Sequence, residues 1–182
     1  MDTFNAKRIV VLGLGNLIRS DDGVGLCALR ELEQDPRLPP DVTLVEGGTK
    51  GLELLPYISD ASCLLVLDAM DVGAAAGTVF RIAKEELHSM PGNGNVHELA
   101  LADLLNALRI MGREIEQIVL LGIQPLTTEL GTALSTPVQQ ALPSLVEGAL
   151  IELSQWTLAE KISINDVIET AEKSILISTL EA

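Results

Sequence analysis

Polar residues able to do chemistry stand at the ends of the apolar runs in this sequence. Asp22 follows the run 8–14, Glu46 follows 42–45, Asp68 follows 63–67 and Gln124 follows 118–123. His97 lies in a loop entering an apolar stretch with helical spacing. If the runs are strands of one sheet, these residues gather at its carboxyl edge, where α/β folds build their ligand sites. Two or three carboxylates and an imidazole there suggest a divalent metal site. Such oxygen and nitrogen donors suit nickel or zinc.

Each residue also has a plainer reading. Asp22 fits a helix cap or a first-turn acid that favours the helix dipole. Glu46 fits a cap on the turn that follows it, and His97 taken alone fits a surface or cap residue. Asp68 is harder to dismiss, because an unpaired carboxylate at the end of an apolar strand is costly.

The elements that must position these residues follow from periodicity. Strands are expected at 8–14, 42–45, 63–67, 78–82 and 118–123. Helices are expected at 22–33, 52–58, 99–111 and 137–156, with Pro56 shortening the second, Gly112 ending the third and Pro143 kinking or breaking the fourth. "CLLVL" has no polar residue, as suits a sheet covered on both faces. Alternating strands and helices predict an α/β three-layer sandwich: a mostly parallel, twisted, five-stranded sheet with helices on both faces. "TVF" reads as an antiparallel edge, because only a short connection precedes it. Residues 1–156 form the expected domain, and 157–182 an extra amphipathic helix or tail, with Ile164, Val167, Ile168, Ala171, Ile175 and Leu176 on one face. Packing on the domain and partner binding both fit that face.

Composition narrows the function. With 182 residues, 47% of them hydrophobic, the chain suits one domain with a sizeable core. No stretch approaches the ~20 apolar residues of a membrane span, and none is built like a signal peptide, so a cytoplasmic protein is expected. A net charge of −14 opposes nucleic acid and anionic membranes and favours a cation or a basic partner segment. Cys27 and Cys63 sit in apolar runs and read as core residues rather than nucleophiles.

Several familiar motifs fail. Gly13 and Gly15 open like a dinucleotide-binding turn, but the third glycine position holds Ile18, and Asp21 and Asp22 would repel a pyrophosphate. "HELAL" lacks the second histidine of H-E-x-x-H. No G-x-S-x-G and no D-[ST]-G is present.

At these same residues the sequence resembles the nickel–iron hydrogenase maturation proteases. "LGLGNLIRSDDGVG" resembles the family's G-x-G-N-x-L-x-x-D-[DE]-G-x-G, with Ile18 for the usual Leu. "VEGGTKGLELLPYI" resembles its D-G-G-T-x-G-x-x-L-L, with Glu46 for Asp. "LLVLDAMDVGAAAGTV" resembles its strand ending in D-A followed by G-x-x-P-G-T, with Ala76 for Pro. "VHELALADLLNALRIMG" and "VLLGIQPLTTELGTALSTPV" resemble its H-[QE]-x-x-x-x-D-L-L-x-x-L and G-[IV]-Q-P segments. The motifs run in order across residues 8–153.

The resemblance implies an endopeptidase that removes the C-terminal extension of a hydrogenase large-subunit precursor once nickel is in place. Asp22, Asp68 and His97 would contact that nickel, which the precursor brings; zinc or cadmium would fit the same ligands in vitro. Asp22 or Glu46 would act as the base, making the enzyme aspartyl-type or metal-assisted. Gly47, Gly48, Thr49 and Gln124 would meet the substrate. A monomer with no nucleic-acid or membrane partner is expected. Two other readings are a non-catalytic nickel checkpoint or chaperone, and a nucleotide-binding α/β domain.

Overall fold

A computed structural model describes residues 7–86 and 96–180, with side chains at 7–86 and 101–159. Five strands form one sheet: β1 (Ile9–Leu14), β2 (Val42–Gly48), β3 (Cys63–Ala69), β4 (Val79–Ala83) and β5 (Gln117–Ile123). Their order is β2-β1-β3-β5-β4, with every pairing parallel except β4 against β5. The expected sandwich with an antiparallel edge is the fold observed. The apolar runs of β1 and β3 are buried along their whole length, as inner strands covered on both faces require.

The helices α1 (Val24–Gln34) and α4 (Thr136–Leu180) cover one face, and the short α2 (Leu55–Ile58) and α3 (Val96–Ile110) the other. Two hydrophobic clusters result. Val11, Leu65, Leu67 and Leu121 meet α1 and α4. Leu12, Leu64, Val66 and Leu120 meet α2 and α3. Along α1 the buried Val24, Ala28 and Leu32 recur every four residues. The helix stops at Asp35, held extended before Pro36. Gly112, with φ 69°, ends α3 in the left-handed region that glycine tolerates.

Three boundaries differ from the sequence expectation, and two of them move a candidate residue. β2 runs on to Gly48, so Glu46 lies inside the strand rather than after it. α3 begins at Val96, which places His97 in the helix's first turn instead of a preceding loop. α4 is a single helix of 45 residues, with Pro143 inside it and no boundary at residue 157. Buried Leu142, Leu145 and Val146 flank Pro143 and hold the helix to the sheet despite the missing N–H. Arg81 on β4 grips Glu152 of α4 through two bonds of 2.6 and 3.2 Å, fastening the edge strand. The side chains of residue 160 onward lie outside the described residues, as does the expected packing of the tail.

Candidate functional site

Asp68 is the penultimate residue of β3 and only 2% exposed. Strand side chains alternate between faces. Cys63, Leu65 and Leu67 belong to the α1/α4 face, and Leu64 and Val66 to the α2/α3 face, so Asp68 belongs to the latter. The Ala69 backbone N–H donates to its Oδ1 at 2.8 Å. A carboxylate this deep in an apolar strand demands partners, which makes Asp68 the strongest site residue on burial alone.

Asp22 sits in a 3-10 turn, Ser20–Gly23, between β1 and α1. The N-cap of α1 is Gly23, so Asp22 does not cap that helix. Glycines draw this turn onto the sheet. Gly15 lies against the carbonyl of Asp22, and Gly25 lies over the carbonyl of Leu67, where no side chain would fit. The turn therefore packs against the end of β3, beside Asp68.

Asp21, the residue before Asp22, was not among the sequence candidates. It is fully buried, and its carboxylate accepts four hydrogen bonds. The N–H groups of Leu126 and Thr127 donate to Oδ2 at 2.9 and 3.1 Å. The Ser135 N–H donates to Oδ1 at 2.6 Å, and its hydroxyl to Oδ2 at 2.8 Å. Burial pushes the carboxyl pKa up, but the Ser135, Thr127 and Leu126 donors outweigh it and hold it below the usual value. Ser20 beside it has φ 48°, rare for a residue other than glycine and of order 1–3 kcal/mol in strain. Its N–H donates to the Gly131 carbonyl at 2.8 Å and its hydroxyl to the Glu129 carbonyl at 3.1 Å. The segment 16–22 is thus clasped to the loop between β5 and α4. A loop of that length without elements of its own needs such an anchor.

The other candidates disperse. Glu46 shares its sheet face with Leu44 and α1, opposite Asp68, and its side chain, 58% exposed, pairs with Arg30 at 3.1 Å. Inside the strand Glu46 stands two residues past Leu44 and so takes Leu44's face. Glu46 is therefore not brought to Asp68 as a catalytic partner. Gln124 is buried with its amide occupied: Oε1 accepts the Val72 and Ala74 N–H groups, and Nε2 donates to Asp71 and to the Pro125 carbonyl. Two donors and two lone pairs are all it has, so it shapes the 71–78 loop rather than offering bonds to a substrate. Gly47 packs against Leu12 and Leu14, and the Gly48 carbonyl accepts the Gly15 N–H at 3.0 Å. Both glycines hold the turn together, and only Thr49 of that trio is exposed. The His97 side chain lies outside the described residues; its backbone opens the helix that covers Asp68's face. Among the described residues no group of three potential ligands converges. Cys63 is buried, and burial raises the Cys27 thiol pKa, the opposite of an activated nucleophile.

An α/β domain with the buried Asp68 and the Asp22 turn at the carboxyl ends of its parallel strands defines the class. Comparison with known proteins narrows it. The family described as HycI, hydrogenase maturation protease, matches residues 27–152. The chain is 34% identical over 157 residues to the hydrogenase expression/formation protein HupD of Rhizobium leguminosarum bv. viciae, covering 85% of this chain and 78% of that protein. It is 33% identical over 150 residues to the hydrogenase 2 maturation protease of Escherichia coli K12, covering 81% and 92%. The solved structure of the hydrogenase maturating endopeptidase HybD from E. coli superposes with a TM-score of 0.77 at 33% identity, over 81% of this chain and 93% of that one. The chain belongs to the hydrogenase maturation protease family and is a peptide-bond hydrolase.

Proposed function

We propose that this protein removes the C-terminal extension of a nickel–iron hydrogenase large-subunit precursor, and that Asp22, Asp68 and His97 recognise nickel already seated in that precursor. The observation that carries the reading is the buried Asp68 carboxylate at the end of β3, with the Asp22 turn packed beside it and the helix of His97 over its face. Carboxylate and imidazole donors fit nickel, and three protein ligands leave positions for a partner's own. Zinc or cadmium would fit the same donors in vitro.

The residues divide the work as follows. Asp68, with Oδ1 fixed by the Ala69 amide, presents a carboxylate that cannot swing away. Asp22 lies on a turn whose backbone is held by close glycine contacts. Glu46 faces the other side of the sheet, which leaves Asp22 as the carboxylate suited to take a proton from water. The substrate's metal would supply Lewis acidity or a positioning anchor at the scissile carbonyl. The chain offers no nucleophile motif, so hydrolysis depends on what the precursor brings.

Mass spectrometry of hydrogenase large subunits in cells with and without this protein tests the reading. The subunit should keep its C-terminal extension when the protein is absent. A processed subunit in the deleted strain rejects the proposal.

A further inference from the structure

Beside the Asp22 turn stands a rigid apolar rim. Arg19 and Gly131 form a parallel bridge, with the Gly131 N–H donating to the Ile18 carbonyl and the Ser20 N–H to the Gly131 carbonyl. Ile18 and Leu130 each stand one residue before the bridged pair. The bridge is reinforced by the Asp21 N–H to the Thr127 carbonyl, by Arg19 Nε to the Thr128 carbonyl and by the Asp21 carboxylate. Yet Leu130 is 82% exposed, Leu126 61% and Ile18 59%. Leu134 of the same loop packs against the core, so the loop is anchored inward while these three stay outside. Single exposed apolar residues are ordinary. Three on two segments locked together by hydrogen bonds, and one residue from the clasp beside Asp22, are a preorganised apolar contact surface.

We propose that Ile18, Leu126 and Leu130 form a docking rim for an apolar segment of the precursor flanking the cut bond, with Asp21 as the positioning residue that holds the rim. The inference rests on the precursor being the substrate. Its occupant is chosen by continuity: Ile18 shares the Asp22 segment, and Asp21 clasps the loop of Leu126 and Leu130 to that segment, so a chain reaching Asp22 has the rim beside it.

The test compares Ile18→Ser, Leu130→Ser and the double variant with Ile110→Ser. Ile110 is equally bare, 88% exposed, but ends α3 far along the chain from the rim. Two readouts are taken: Kd for nickel-free precursor by titration calorimetry, and kcat and KM on nickel-loaded precursor. The double variant should raise Kd and KM by at least about tenfold, as expected for losing buried aliphatic contacts, with kcat held. Ile110→Ser should change neither. Unchanged Kd and KM overturn the rim, as does a loss confined to kcat, or an unaltered protein that binds no precursor. Light scattering that shows the double variant dissociating a dimer assigns the rim to a second copy and also overturns it. A shifted Kd without any cleavage by the unaltered protein keeps the rim and rejects the proteolytic reading instead.

Discussion

The carboxylate of Asp21 accepts the backbone N–H of Leu126 at 2.9 Å, across 105 positions of sequence. This bond and its three companions couple the turn that carries Asp22 to the loop after β5. Asp21→Asn keeps the shape but turns an N–H₂ group toward N–H donors. It should destabilise the protein by about 1–3 kcal/mol, the usual scale for a buried polar group left unsatisfied. Urea unfolding measures this. An unchanged midpoint would show that the clasp carries no stability.

The clasp also predicts a pH dependence. The Asp21 pKa is held below its ordinary value in the folded protein. The resulting stabilisation is complete above the unfolded pKa of about 3.9 and is lost as pH falls through the lower folded value. Thermal melts of the natural protein and Asp21→Asn should therefore differ most at neutral pH and converge below about pH 4. A constant gap down to pH 2 contradicts the assignment.

Glu46 shows why part of the site escaped the sequence. The residue type suggested a base, and the strand was expected to stop before it. The strand runs three residues further, so Glu46 follows the pleat onto the face of Leu44 and meets Arg30. An exposed pair of this kind contributes about 0–1 kcal/mol. Glu46→Gln should leave cleavage within roughly threefold of the natural rate. A loss beyond a hundredfold in a steady-state assay would return Glu46 to the catalytic machinery.

Much else was legible. The unbroken apolar runs marked the buried strands, and the glycine-flanked acids marked the carboxyl edge where Asp22 and Asp68 are found. Asp21 was not legible, because Asp21 and Asp22 are the same residue type side by side. Only a loop more than a hundred positions away decides which one turns inward. Gln124 was misread for a related reason. Its place after β5 is as expected, but its hydrogen-bond capacity is taken up by a loop whose conformation no local pattern specifies.

Gln124→Glu tests that assignment. The change keeps acceptors for Val72 and Ala74 but removes the donor to Asp71 and sets two carboxylates together. Hydrogen exchange at Val72, Gly73 and Ala74 should accelerate, while core amides of β1 keep their protection. Unchanged exchange in this loop would show that Gln124 does not organise it.

Removing residues 160–182 should leave cleavage intact, because the candidate ligands and the clasp all precede Trp156. A folded truncation that no longer cuts would show that the distal part of α4 contributes to substrate binding. Circular dichroism alongside the assay separates that outcome from loss of fold.

The central claim is that Asp22, Asp68 and His97 act on a metal that the substrate carries. Purified protein is given nickel-loaded and nickel-free precursor side by side, and cleavage is followed by mass. Only the loaded precursor should be cut. Asp22→Asn, Asp68→Asn and His97→Ala should each slow that cut beyond the roughly 10–100-fold typical of losing a supporting residue around a metal. Equal cleavage of loaded and nickel-free precursor would contradict the account.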